Sequence, residues 1–203
     1  MVITTSIMNT NMEVPWAVEQ EHSRFSSFIV RSVAATLGML LLAVVFLMAV
    51  PRANAATTVS TVSTADQDFM LAAGQVNLTE MKLGEYAAQN GKRDDVKEFG
   101  QRMVKDHTAI NDDLKALAAQ KAVSLSDTLD ATHQMMADKL MALTGSEFDK
   151  AYIAGMFKGH KKAIKAFKAG SDETIDTDVK SFADKSIPVL EEHLKLITAI
   201  KKS

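Results

Sequence analysis

Four side chains that can bind a metal ion lie on the apolar faces of amphipathic segments: Glu80, His107, His160 and His193. Each has an apolar residue three or four positions before it and another three or four positions after it, which is the spacing of one face of an α-helix. Three imidazoles and a carboxylate, one on each of four helices, are ligands suited to zinc, iron or copper. The pattern therefore predicts a metal site inside a helical bundle.

Period 3.6 runs through the chain after Ala65, and no segment there alternates with period two, so the fold class is all-α. Asn90-Gly91 is expected to end the first helix in a left-handed cap, and Ser126 is expected to cap the third. Ser146 to Asp149 resemble a capping box for the fourth helix. Pro188 kinks the fifth helix or separates its first turns. The predicted helices run over about 65–90, 93–120, 127–144, 146–169 and 176–203.

Weak internal repetition indicates how these helices connect. The segment from Phe99 to His107 resembles the segment from Tyr152 to His160. Two hairpins joined by a crossover that carries the 127–144 helix would produce this repeat, which predicts a ferritin-like four-helix bundle with an extra crossover helix. In that topology His107 and His160 lie at nearly equal depth. Glu80 and His193 lie together in a second layer, about one turn or ~7.5 Å away.

Two interpretations of these polar residues stay open. In one they form a His₃Glu or His₃ metal site, with Met103 and Met156 as possible additional ligands whose sulfur favours copper over zinc or iron. In the other they are separate core histidines, each neutral and hydrogen-bonded, and the methionines fill space. Four unsatisfied polar groups in one core would be costly, which strengthens the metal interpretation.

Several chemistries are excluded or disfavoured. The chain has no cysteine, so it has no disulfide, no thiolate nucleophile and no cysteine-bound metal. No candidate histidine follows a glutamate by three residues, so a di-iron ferroxidase centre is not expected. His133 has no partner and is interpreted as structural or partly exposed. Asp106 and Glu192 each precede a candidate histidine, so they either support the ligands from outside or lie at the surface, and the surface position is favoured. A near-neutral charge of −2 and an exported location argue against nucleic acid.

The N-terminal quarter of the chain has the pattern of an export signal. Val33 to Val50 is an uncharged apolar run, preceded by Arg24 and Arg31 and followed by Pro51 and an Ala-x-Ala site that ends at Ala55. Cleavage after Ala55 is the leading interpretation, an uncleaved membrane anchor the alternative, and translation could start at Met12 or later. The expected organisation is signal or anchor at 1–55, flexible tether at 56–64 and helical bundle at 65–203. Any membrane contact is expected only through the N-terminal segment.

Four short motifs carry a resemblance to a known family: EMKLG at 80–84, MVKDH at 103–107, FDKAY at 148–152 and PVLEEHL at 188–194. Together they resemble the bacterial exported proteins of domain-of-unknown-function family 4142, often described as outer membrane or periplasmic proteins. The resemblance implies a ferritin-like bundle in the periplasm or cell envelope, and it implies no activity.

Three functions remain open: an extracytoplasmic protein that sequesters or buffers a metal ion, a non-catalytic envelope or stress-related structural protein without metal, and a metal-dependent redox enzyme. The last is the least favoured, and no catalytic residue is assigned.

Overall fold

The computed structural model describes residues 62–203, and the predicted signal or anchor at 1–55 lies outside them. The described part of the chain contains helices and no strand, as the periodicity predicts. None of these helices combines the length and apolar character needed to cross a membrane. The five helices are α1 (Thr64–Asn90), α2 (Asp94–Gln120), α3 (Ala131–Met141), α4 (Gly145–Glu173) and α5 (Thr177–Lys202).

Contacts at the helix ends establish the topology of the bundle. The Asp149 carboxylate at the start of α4 accepts hydrogen bonds from the backbone N–H groups of Lys92 and Arg93, at 3.0 and 2.9 Å, so α2 and α4 begin at the same end. At the opposite end, the Lys121 ammonium after α2 donates to Asp176 at the start of α5, at 2.7 Å. Helices α2 and α4 are therefore parallel, and the crossover connectivity is confirmed.

The four long helices form two hairpins, α1 with α2 and α4 with α5. Helix α2 also packs on α5 and α1 on α4, while the crossover helix α3 covers α1 and α4. The first hairpin brings two backbones together, because a Cβ on Gly84 would lie 2.8 Å from the Gly100 carbonyl oxygen. A side chain at either glycine would push α1 and α2 apart.

Two apolar clusters fill the bundle, one on either side of the histidines. The first contains Ile110, Ile164 and Leu190, and the second contains Met103, Met156 and Ile197. Each histidine is flanked by one residue of each cluster on its own helix. The three histidines therefore form a polar layer between two apolar halves of the core.

Helix α1 ends at Gly91 without the predicted left-handed cap. Gly91 has φ −56° and ψ 141°. A Cβ at Gly91 would lie 2.7 Å from the Ala87 carbonyl oxygen and 3.1 Å from a Val96 methyl carbon. Glycine is thus required there by close packing and not by a positive φ.

Two other helix ends differ from the sequence predictions. Helix α3 is shorter than predicted, and its N-cap is Asp130, whose side chain accepts from the His133 backbone N–H. Helix α4 continues past Gly170 to Glu173. Gly170 packs against the Phe69 ring, which a Cβ at this position would approach to 2.9 Å, so the glycine serves close packing and not the helix end.

Near the chain's C-terminus, α5 runs as one helix through Pro188. Pro188 is exposed, so the Asp184 carbonyl that it leaves without a helical partner is on the solvent side.

Candidate metal centre

Three histidines from three helices meet in the middle of the bundle. His107 on α2, His160 on α4 and His193 on α5 have exposed fractions of 1%, 1% and 0%. A ligand nitrogen from each ring lies within 4.8 Å of the other two. His160 Nε2 and His193 Nδ1 lie 3.3 Å apart.

Each ring also has a hydrogen-bond partner on its outer side. His107 Nδ1 faces the Asn77 amide oxygen, His160 Nδ1 faces the Met156 carbonyl oxygen, and His193 Nε2 faces an Asp106 carboxylate oxygen, each at 2.9 Å. An amide, carbonyl or carboxylate oxygen can only accept, so these ring nitrogens carry the protons. The other nitrogen of each neutral ring is then an unprotonated lone pair.

The unprotonated nitrogens are the ones that face the cluster. They are His107 Nε2, which has no hydrogen-bond partner, and the His160 Nε2 and His193 Nδ1 atoms that face each other. This is the arrangement of a metal-binding histidine, whose outer N–H is held by a second group that sets the tautomer and the ring orientation.

Burial keeps the three rings neutral. Burial and, to a smaller extent, the neighbouring His193 lower the pKa of His160 to about 4, although the Met156 carbonyl opposes the shift. Burial also lowers the pKa of His107 well below its usual range and lowers the pKa of His193, although Asp106 opposes the shift at His193. At neutral pH, His160 and His193 thus direct two lone pairs at each other with no proton between them.

The spacing of that pair suits a cation. Two imidazole nitrogens bound at about 2.0–2.1 Å to one tetrahedral ion lie roughly 3.3 Å apart. The His160–His193 pair already has this separation, at 3.3 Å. With the three ligand nitrogens within 4.8 Å of one another, the distances between His107 and the other two rings would have to shorten by no more than about 1.5 Å.

Glu80 is buried but does not join this cluster. Within residues 62–203, the group whose ligand atoms converge contains the three histidines alone. Burial raises the pKa of Glu80 to about 8, and its Oε2 atom has no hydrogen-bond partner. Burial and the nearby Glu80 together raise the pKa of Tyr152 well above its usual range, and the Tyr152 hydroxyl also lacks a partner.

The layers therefore differ from the predicted ones. His193 lies with His107 and His160, and not in a second layer with Glu80. Side chains on a helix lean toward its N-terminus. His160 and His193 lie on antiparallel helices and lean toward each other, which closes the predicted gap of about one turn. Met103 and Met156 are fully buried in the second apolar cluster.

Two contacts that the sequence did not predict support the histidines. Asp106, expected at the surface, has a side chain that is only 15% exposed and pairs with both His193 and Arg102. Partial burial alone would raise the pKa of Asp106, but these hydrogen bonds outweigh it and hold the pKa below its usual range. Asn77 lies on α1 three residues before Glu80. This spacing places both on the same face of the helix, and it was the signal in the sequence that Asn77 also faces the core.

The remaining histidine of the described chain lies away from the cluster. His133 bonds the Asp130 carboxylate at 2.9 Å, and its side chain is 27% exposed. This agrees with the structural, partly exposed position expected for it.

The fold and the site together define an all-helical bundle protein with a buried three-histidine layer. The family model described as "Domain of unknown function (DUF4142)" matches residues 50–200, and the chain belongs to this family. A crystal structure titled as a DUF305 fragment from Deinococcus radiodurans is similar, with a TM-score of 0.61 and 10% sequence identity, covering 70% of this chain and 98% of that one. At that identity the likeness concerns the fold. No curated protein sequence matches the chain.

Proposed function

We propose that this protein binds one transition-metal ion between His107, His160 and His193 and serves to sequester or buffer it outside the cytoplasm. The observation that carries the proposal is the convergence of three unprotonated ring nitrogens. In each ring, an acceptor on the outer side holds the proton on the outer nitrogen, which leaves the inner nitrogen unprotonated. Two of these nitrogens already have the separation that a tetrahedral ion requires.

The ligand set limits the choice of metal. Three neutral imidazoles suit zinc and copper, and also iron, whereas magnesium and calcium prefer oxygen ligands. Because Glu80 lies outside the converging group, the three histidines leave a fourth position for water or another small ligand. We assign no catalytic step to this position.

The extracytoplasmic location belongs to the same proposal. It rests on the apolar run at 33–50 and the Ala-x-Ala site that follows it. Fractionation of cells that express the full chain, with an antibody to the bundle, tests it. The expected result is a periplasmic or envelope signal, and a purely cytoplasmic signal would contradict this location.

Metal titration of purified, chelator-treated protein tests the binding. Co²⁺ bound by three imidazoles absorbs visible light, and Zn²⁺ displaces it, so both affinities can be measured. We expect one equivalent to bind to the wild type and to His133→Ala, which removes a histidine outside the cluster. His107→Ala and His193→Ala should lose binding. A wild type that binds neither ion, or histidine variants that bind as well as it does, would contradict the proposal.

A second candidate is a structural protein in which the polar layer sets the helix register and no metal binds. A chain of hydrogen bonds favours this candidate, provided that one proton is shared between two histidine rings. The chain runs from Asp106 through His193 and His160 to the Met156 carbonyl. The lowered pKa values of both rings oppose that shared proton at neutral pH. A melting temperature that is the same in Zn²⁺ and in chelator would select the structural candidate, since a bound ion raises it.

A further inference from the structure

A groove of about 520 Å³ lies between α2 and α5, beside the histidine layer. Arg102, Asp106 and Ala109 line it from α2, and Val189 and Glu192 line it from α5. The same Asp106 carboxylate accepts the outer N–H of His193. The groove therefore ends at a side chain that contacts a predicted ligand.

Asp106 differs from the two other outer partners in its exposure. Asn77 is 1% exposed and Met156 is 0% exposed, so His107 and His160 are closed off from solvent on their outer sides. The Asp106 side chain is 15% exposed, although the ring that it holds is 0% exposed. Of the three histidines, His193 is thus separated from solvent by one partly exposed carboxylate.

Charges in the groove suit the passage of a cation. Asp106, Asp113 and Glu192 supply negative charge, and two cations line the groove with them. Lys185 pairs with Asp113, while Arg102 binds Asp106 and is attracted by Glu192. Arg102 is half-exposed, so it can leave Asp106 when a cation takes its place. The groove also contains Pro188, where α5 lacks one backbone hydrogen bond and can bend at lower cost.

We propose that the groove between α2 and α5 is the route by which the metal ion reaches and leaves the histidine centre, with Glu192 attracting the ion and Arg102 closing the route. The inference rests on the proposed metal binding and adds how the ion gains access to it. A buried site requires such a path. A route affects the rates of binding and release, whereas a ligand affects the equilibrium.

Blocking the groove tests the route. Ala109 is exposed and lines the groove, so Ala109→Trp fills it without entering the core. We expect Ala109→Trp to slow Co²⁺ binding and chelator-driven Co²⁺ release by the same factor, on the order of tenfold, with an unchanged Kd. The matched control is Ala116→Trp, since Ala116 is an exposed alanine two turns along the same helix and outside the groove. It should behave as the wild type.

Charge changes supply a second, independent measurement. Glu191 and Glu192 are neighbours with similar exposure, and each pairs with a lysine, Glu191 with Lys168 and Glu192 with Lys195. Of the two, Glu192 alone lines the groove. Glu192→Gln should slow Co²⁺ binding roughly two- to fivefold and weaken its dependence on salt, while Glu191→Gln should change neither. Arg102→Met should speed Co²⁺ binding.

The outcomes separate the two proposals. If the wild type binds no Co²⁺ or Zn²⁺ at equilibrium, the proposed function fails, and the route fails with it. If the wild type binds Co²⁺ but Ala109→Trp and Glu192→Gln exchange it at wild-type rates, the route alone is refuted. A raised Kd in folded Ala109→Trp would also refute the route, because it would make the groove part of the site. Should Ala109→Trp not fold, the comparison of Glu192→Gln with Glu191→Gln decides.

Discussion

Replacing Glu80 by glutamine should remove a pH-dependent loss of stability from the metal-free protein. Glu80 is 4% exposed, and burial raises the pKa of its carboxyl group from 4.5 to about 8. It is therefore protonated in the folded bundle at neutral pH, whereas the same group is ionised in the unfolded chain. Glutamine has a similar shape and no charge to lose.

The sign and the size of the effect follow from proton linkage. Between pH 4.5 and 8 the folded protein keeps a proton that the unfolded chain releases, so the free energy of unfolding falls as the pH rises. Each pH unit inside this window contributes ~1.4 kcal/mol. From pH 5 to pH 7.5 the wild type should lose about 3 kcal/mol relative to Glu80→Gln.

Urea denaturation at several pH values, in the presence of chelator, measures this difference. The lowered pKa values of the buried histidines act in the opposite direction below pH 6.5, but they are common to both proteins and cancel in the comparison. Glu85→Gln, on the exposed side of α1, controls for the loss of a surface charge. If the curves for the wild type and Glu80→Gln stay parallel from pH 5 to 7.5, Glu80 is ionised in the folded state and the argument from burial is wrong.

Four further substitutions test other contacts. Tyr152→Phe removes a buried hydroxyl without a hydrogen-bond partner, so the free energy of unfolding measured in urea should rise by about 1 kcal/mol. A fall would mean that the hydroxyl is hydrogen-bonded. Gly100→Ala should lower the free energy of unfolding by roughly 2 kcal/mol, because the new Cβ would lie 2.6 Å from a carbonyl oxygen. Gly74→Ala, whose Cβ would meet nothing closer than 3.7 Å, should instead raise it by up to ~1 kcal/mol. Asn77→Leu removes the acceptor of the His107 N–H and should weaken Zn²⁺ binding about 10- to 100-fold in chelator competition; unchanged affinity would show that this contact does not orient the ring.

Helical periodicity was sufficient to predict the fold and the inward positions of the three histidines. His107, His160 and His193 each continue an apolar stripe, and a side chain on such a stripe must face the core of a bundle. The crossover topology then placed His107 and His160 at one level. The structure agrees, with ring centroids 5.9 Å apart.

The outer partners of the histidines were not predictable in the same way. Asp106 precedes His107 by one residue, which places it about 100° around α2, away from the apolar stripe. It meets His193 because of how α5 packs on α2, which is a tertiary relation that no spacing within one helix contains.

The close backbone contact between Gly84 and Gly100 has a consequence for how the ligands respond to an ion. Asn77 lies seven residues further from the α1–α2 loop than Gly84, and His107 lies seven residues further from it than Gly100. The glycine contact and the Asn77–His107 hydrogen bond therefore belong to one continuous register between α1 and α2, two turns apart. Because a backbone contact holds this register, we expect His107 to act as a stationary ligand. A tetrahedral ion requires the distances between the ligand nitrogens to shorten by up to about 1.5 Å. We expect α4 and α5 to make this movement, so metal binding should shift the second hairpin relative to the first.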